Sequence, residues 1–289
     1  MFRRQLLYPA ATLLAAMTLT VGGAWADSKH QTTAQDADDD NGPGGNGCPS
    51  LPSYDSLKAA LISAVVTETS GLNLNMWATL VDRDGIVCAV AFSGVNRGAQ
   101  WPGSRVISAQ KANTANAFSL DSSSSSNSSG AAAGLSLSTA NLYSAVQPGG
   151  SLFGLQESNP VNPDVAYDFP STAYGTTNDP MIGQKIGGVN VFGGGLAAYG
   201  TGKKILGAVG VSGDTSCADH MIAWRVRHTL GLDHLLGVGG VSGDTNRPDN
   251  IVYDIKANPN GGTGISTGGF GHPTCINTGD QTALPAVVN

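Results

Sequence analysis

The chain has 289 residues, of which 21 are acidic and 15 basic, so its formal net charge is −6. This acidic balance argues against nucleic acid and anionic membranes as partners, because both favour clustered lysine and arginine. An apolar content of 40% is enough for one hydrophobic core, while 40 glycines indicate many loops. We therefore expect one folded, loop-rich domain.

The N-terminus has the three-part pattern of a secretory signal peptide. Two arginines precede an apolar stretch over residues 6–21, and the small-residue motif AWA at 24–26 provides a cleavage site. The apolar stretch is too short and too broken to span a bilayer. We expect a signal peptide over residues 1–26 and an exported protein, periplasmic or secreted, that is not inserted in a membrane.

An acidic run and then a glycine- and proline-rich run occupy residues 27–47. Such a composition buries too little apolar surface to offset the entropy of ordering, which predicts a disordered leader. The folded domain is expected over residues 48–289.

The first elements of this domain are a helix and a hairpin. Apolar side chains at helical spacing follow Ser53, a suitable N-cap, and predict a helix from Tyr54 to Thr69. Two runs rich in valine and alanine then flank Asp82-Arg83-Asp84-Gly85, which predicts a β-hairpin within a sheet.

A second helix and two insertions come next. The alanine-rich stretch from Ser104 to Ser119 contains neither glycine nor proline and predicts a helix. The serine-rich residues 121–134 predict a disordered surface insertion, and Ser138–Val146 a short helical turn. The long polar stretch that includes 155–185 is a second insertion, longer than a compact domain tolerates without a use for it.

Three short strands are predicted near Gly188–Phe192, Leu196–Tyr199 and Lys204–Ser212. A last helix from Ser216 to Leu230 ends at Gly231, and an irregular glycine-rich tail follows. Helices grouped around hairpin-connected strands indicate an α+β domain with a mostly antiparallel sheet flanked by helices.

Two catalytic motifs are approached but not met. Around Ser212, Asp214 stands where the nucleophile elbow G-x-S-x-G needs its second glycine. The stretch GTGKK at 200–204 lacks the first glycine of a phosphate loop, and no serine or threonine follows Lys203. We therefore favour ordinary turns at both places.

Cysteines and histidines limit the kinds of metal site. Four cysteines in an exported chain predict two disulfides with three open pairings, and the absence of a C-x-x-C pair argues against zinc. His220 and His228 are spaced too widely on a helix to chelate a metal as a pair. A single axial ligand to haem iron needs no such motif.

The second predicted helix carries a dense polar stripe that includes Arg105, Ser108 and Lys111. One interpretation is an exposed helical face. The other is the wall of a pocket that binds an anion, with Arg105 and Lys111 as the charges.

Three stretches in this order resemble the GlcG/HbpS family of small haem-binding or ligand-binding domains. They are the hairpin VDRDGIVCAVAF, the helix SRVISAQKANTANAF and the strand-to-helix junction ILGAVGVSGDTSCAD. With the first helix they cover most of residues 54–120 and 186–230. The resemblance implies a sheet of about five antiparallel strands, assembly into homo-oligomers, and a pocket between the lysine helix and the Val-Ser-Gly turn.

The resemblance also implies a set of site residues. Cys48 would approach Cys88 if the first helix runs back against the first strand, which leaves Cys217 for Cys275. His220 is the candidate axial ligand to haem iron. Lys111, Ser212, Gly213 and Asp219 match motif positions of the family. The polar stripe and the turn add the other expected ligand-binding residues, which are Arg105, Ser108, Asp214 and His220.

These observations lead to an exported protein that binds a small molecule, either haem or a related anionic compound. One alternative is an enzyme that acts on a small organic acid, with Asp219 or His220 as general base beside Lys111. The other is a structural oligomer without a ligand. The sequence leaves open whether the protein is an enzyme.

Overall fold

The computed structural model describes residues 47–123, 134–262 and 264–289. The predicted signal peptide, the leader up to residue 46 and most of the serine-rich insertion lie outside these residues. The described residues all belong to one compact unit, residues 41–289.

A four-stranded antiparallel sheet forms the centre of the fold, in the order β2-β1-β4-β3. The α+β class expected from the sequence is therefore confirmed. A separate two-stranded ribbon pairs β5 with β6 near the C-terminus. The strands are β1 Trp77–Asp82, β2 Val87–Phe92, β3 Gly195–Gly200, β4 Lys204–Ser212, β5 Ile255–Lys256 and β6 Ile265–Ser266.

The three long helices begin where the sequence predicts and end within two residues of the expected position. The N-caps of the first and last are Ser53, which accepts a hydrogen bond from Ser56 N, and Thr215, which accepts one from Ala218 N. None of the helices in the described residues has the length and apolar character needed to cross a bilayer. The helices are α1 Tyr54–Thr67, α2 Ser104–Ala117, α3 Leu155–Ser158, α4 Pro163–Ala166 and α5 Ser216–Thr229.

Alternation along β1 shows how the helices are divided between the two faces of the sheet. Thr79 and Val81 face α2, and the Thr79 hydroxyl lies 2.7 Å from that of Ser108. Ala78 and Leu80 point to the other face, into the core that α1 and α5 share. The period of two therefore places one helix on one face of the sheet and two on the other.

Helix α2 approaches β4 so closely that one strand position has no room for a side chain. A Cβ atom at Gly210 would overlap the backbone carbonyl of Ser108 and the backbone nitrogen of Ala112. The absence of that side chain lets the helix pack directly on the strand backbone, which brings Lys111 to the end of the sheet.

The main sheet has four strands rather than about five, because the strand expected at Gly188–Phe192 is irregular. Gly187 and Gly188 have φ of 65° and 79°, which extended strands do not adopt. Side chains of α2 also form hydrogen bonds with backbone groups that a strand would pair with its neighbour. Asn113 Nδ2 donates to Gly188 O, and Thr114 Oγ1 accepts from the backbone N–H of Asn190.

Both long additions to the fold contribute to the hydrophobic core. In the 155–185 insertion, Ala166 and Met181 are fully buried in the cluster beneath α2. In the C-terminal segment, Leu235, Leu284 and Val287 join the cluster of α1 and α5. Neither addition is a loose surface loop.

Both disulfides have the pairing that the family resemblance implies. Cys48 is bonded to Cys88, and Cys217 to Cys275. The first joins the start of the described chain to β2, and the second joins the C-terminal segment to the first turn of α5.

We expect Gly210→Ala to lower the free energy of unfolding by about 3 kcal/mol, because the new methyl group meets backbone atoms that cannot move independently. Thermal and urea denaturation would measure the loss. Gly103→Ala is the matched control, since a Cβ there meets nothing closer than the end of the Ile107 side chain at 3.8 Å. Equal stability of the two variants would contradict this packing argument.

Candidate functional site

Lys111 reaches from α2 past the end of the sheet to α5. Its Nζ lies 2.6 Å from Asp219 Oδ2 and donates to Val211 O at 3.1 Å. The two charged side chains are only 1% and 3% exposed. This ion pair therefore joins the helix on one face of the sheet to a helix on the other.

The second carboxylate oxygen of Asp219 holds the bend that follows β4. Asp219 Oδ1 accepts the backbone N–H groups of Gly213 at 3.0 Å and Asp214 at 2.9 Å. Lys111 and the bend around Ser212 are therefore neighbours, as the sequence led us to expect. Ser212 itself is buried at the end of β4, where it pairs with Trp77.

Burial dominates the electrostatics of the Lys111–Asp219 pair. It raises the pKa of Asp219 to about 6, against the opposing attraction of Lys111. Burial likewise lowers the pKa of Lys111, and the nearby Asp219 carboxylate opposes that change. Both groups therefore give up their charge more readily than they would in water.

The side chains of Arg105 and Ser108 have hydrogen-bond partners within the protein other than Lys111. Arg105 forms a buried bidentate ion pair with Asp179, donates to Ala166 O at 2.9 Å, and places its guanidinium 3.7 Å from the centre of the Tyr174 ring. Ser108 donates to Arg105 O at 2.7 Å. Their role in binding an anion stays a prediction. In this structure Asp179 and a backbone carbonyl occupy the hydrogen-bonding positions that an anion or its hydroxyl groups would need.

Asp214 also has a structural partner. Its carboxylate accepts the backbone N–H groups of Leu72 at 2.8 Å and Leu74 at 3.1 Å. The side chain thereby fixes the loop that leads from α1 into β1.

His220 lies on α5 and is completely buried. No described residue is within hydrogen-bond distance and angle of either ring nitrogen, although the Asn250 side chain is near enough to raise the pKa of His220 slightly against the effect of burial. The ring centre is 5.9 Å from that of Trp224. Burial lowers the pKa of His220 to about 3, so the imidazole is neutral. A neutral imidazole is the form that binds metals.

An open cavity of about 830 Å³ lies elsewhere, between residues 143–151 and the C-terminal stretch 255–273. Ile255, Ile265 and Phe270 supply apolar surface, and Gln147 and Asn258 supply amide groups. This cavity could not be predicted from the sequence, because its walls come from glycine-rich segments in which the hydrophobic residues show no periodicity.

Two clusters in the described part of the chain have the composition of a metal site. Cys217, His272 and Cys275 lie within 4.8 Å of one another by their ligand atoms, as do Cys48, Asp82 and Cys88. In each cluster the two sulfurs are bonded as a disulfide and are not free thiolates. Neither cluster therefore offers a thiolate metal site in this oxidised form.

We expect Lys111→Met to lower the free energy of unfolding by about 3 kcal/mol at pH 8, because it leaves the Asp219 carboxylate buried without its cation. The loss should shrink as pH falls through the raised pKa of Asp219, since a protonated carboxyl needs no counter-ion. Urea denaturation between pH 5 and pH 8 would measure it.

The double variant Lys111→Met/Asp219→Asn should recover most of that stability. Lys204→Met is the surface control, since this lysine is half exposed and 3.7 Å from Asp121; it should change stability by less than about 0.5 kcal/mol. A loss in Lys111→Met that is the same at every pH would show that packing, and not charge, explains it.

The family model described as "Haem degrading protein HbpS-like" matches residues 56–227. No curated protein matches the chain.

Several solved structures are similar to parts of the chain. Klebsiella pneumoniae protein ORFY is 25% identical over 61% of this chain and 87% of its own, with a TM-score of 0.37. A PduOC–haem complex is 20% identical over 62% and 91%, with a TM-score of 0.39. A double mutant of Streptomyces reticuli HbpS is 18% identical over 77% and 99%, with a TM-score of 0.36. Since the family model covers more than half of the sequence, the chain belongs to the HbpS-like haem degrading protein family.

Proposed function

We propose that this protein is exported and binds an anionic small molecule of the haem class. Membership of the HbpS-like family supports the ligand class. The signal-peptide pattern over residues 1–26 supports export, whether to the periplasm or to the medium.

The open cavity is the observation that carries this proposal. Its volume of about 830 Å³ lies within the range of small-molecule sites, roughly 300–1,000 Å³. The apolar side chains of Ile255, Ile265 and Phe270 suit the face of a flat, largely apolar ring system, and the amides of Gln147 and Asn258 can donate to carboxylates.

The cleft predicted from the sequence is the second location for the ligand. The buried imidazole of His220, which makes no hydrogen bond of regular geometry in the described structure, favours it, because such a ring gains from a partner such as an iron ion. A ligand would have to open the core to reach that ring, since His220 is completely buried. The cavity needs no such change and is therefore our first choice.

The two alternatives, an enzyme and an oligomer without a ligand, require different features of the structure. An enzyme acting on a small organic acid could use Asp219, whose pKa of about 6 suits proton transfer near neutral pH. Assembly into homo-oligomers would bury further surface, with or without a ligand. Native mass spectrometry of protein from its original host would reveal both a retained ligand and the number of subunits.

Haemin titration of the mature protein tests the proposal. We expect a shifted Soret band at micromolar protein. Ile265→Glu, which places a charge in the half-exposed apolar wall, should weaken binding at least tenfold, about 1.4 kcal/mol. Ile276→Glu is the matched control, because Ile276 is 68% exposed and outside the cavity, and it should bind as the wild type does.

The same titration separates the two locations. Loss of binding in His220→Ala with none in Ile265→Glu would place the ligand in the cleft and reject the cavity. No Soret shift at all would reject haem as the ligand.

A further inference from the structure

Ser216 and His272 form a hydrogen-bonded pair that the binding function does not use. Ser216 Oγ lies 2.7 Å from His272 Nε2, although the two residues are 56 positions apart in the sequence. Ser216 is the first residue of α5, and His272 belongs to the C-terminal segment. The Cys217–Cys275 disulfide ties that segment to the helix one residue after Ser216 and so keeps the pair together.

The surroundings of His272 fix which nitrogen carries the proton. His272 Nδ1 is 2.6 Å from Pro273 O, a carbonyl that can only accept, so the hydrogen lies on Nδ1. Nε2 then presents its lone pair to Ser216, and the serine hydroxyl must be the donor. The Tyr143 ring packs edge-on to the imidazole at 5.1 Å and limits its rotation.

His272 is also in the protonation state that a base requires. Burial lowers the pKa of His272, the hydrogen bond to the Pro273 carbonyl opposes this change, and the positive charge of Lys111 adds to the effect of burial. The imidazole is therefore neutral at pH 7, with Nε2 free to accept a proton.

A backbone donor lies beside the serine oxygen. The N–H of Cys217, the residue after Ser216, donates to Cys275 Sγ at 3.2 Å, and the described residues show no other acceptor for it. Divalent sulfur is a weak acceptor, so this N–H is only weakly satisfied in the free protein. It is one of the first N–H groups of the 14-residue helix α5, where the helix dipole favours negative charge. The N–H after the nucleophile is the usual place for an oxyanion donor.

We propose that Ser216 is a nucleophile activated by His272, and that the pair transfers the acyl group of a small carboxylic ester to water. Ser216 is partly exposed, while His272 behind it is buried. Phe192, which is half exposed, precedes Gly193, whose N–H donates to Ser216 Oγ at 2.5 Å. An ester at Ser216 would therefore find an apolar side chain beside it.

The proton and the acyl group can be followed through both halves of the reaction. Ser216 Oγ bonds to the carbonyl carbon as its proton passes to His272 Nε2, and the N–H of Cys217 donates to the developing oxyanion. The C–O bond to the alcohol then breaks, and Nε2 gives the proton to the leaving oxygen. Water attacks the acyl-serine, loses a proton to Nε2, and the serine recovers its hydrogen as the acid leaves.

The alternative is that the Ser216–His272 hydrogen bond has only a structural role and holds the C-terminal segment against α5. A structural role predicts that breaking the pair lowers the stability of the protein and that Ser216 does not react. Covalent labelling separates the two, because only an activated serine is acylated by p-nitrophenyl acetate or phosphorylated by diisopropyl fluorophosphate in the folded state.

The test treats the folded, disulfide-bonded protein with diisopropyl fluorophosphate and p-nitrophenyl acetate, followed by intact mass and peptide mapping. We expect one adduct per chain, on Ser216. Ser216→Ala should give none, and His272→Asn should slow labelling at least about 100-fold. Ser242→Ala is the control, because Ser242 also anchors a loop of the C-terminal segment, by donating to Arg247 O at 2.7 Å, and has no histidine partner.

The labelling result decides whether Ser216 is an activated nucleophile, and it does not depend on whether the protein binds haem. Unmodified Ser216 in the wild-type protein overturns the proposal, and that result does not require any variant to fold. Equal labelling rates in wild type and a folded His272→Asn variant, judged by circular dichroism, overturn the role of His272 as base.

Discussion

The solvent-excluded contact between Lys111 and Asp219 is the constraint on which the arrangement of this protein depends. The ammonium group of Lys111 donates to the Val211 carbonyl near the end of β4 and to the Asp219 carboxylate of α5, and that carboxylate accepts backbone N–H groups of the bend between them. Remove either charge and the other remains in a medium that solvates it poorly. Helix α2, the sheet end and helix α5 therefore keep their relative positions together or lose them together.

Two more ion pairs in the described residues are buried on both sides, and each extends this frame to an added segment. Arg105 of α2 is paired with Asp179 of the insertion, and Arg227 of α5 with Asp249 after the matched family region. The Asp249 carboxylate also accepts from the Ser136 hydroxyl at 2.8 Å. The charges of Arg105 and Arg227 are thus neutralised by carboxylates from the chain's own additions.

Much of the frame could be predicted from sequence, because helical spacing, caps and hairpin turns are local signals. The adjacency of Lys111 and the bend also followed, through the family resemblance. The prediction of a strand at Gly188–Phe192 was wrong. The alternation of its residues does not reveal that the side chains of Asn113 and Thr114 hydrogen-bond to its backbone. Asp179 and His272 were missed as partners because contacts between residues 74 and 56 positions apart leave no pattern in the sequence.

The disulfide between Cys217 and Cys275 has a consequence for the covalent integrity of the chain. It encloses a stretch with a sequence separation of 58 residues, which includes most of the glycine-rich loops beyond α5. A protease that cuts once inside this ring leaves both pieces linked through sulfur. Such a nicked molecule would migrate intact in a non-reducing gel and separate only after a thiol is added, so damage to these loops need not release the C-terminal piece.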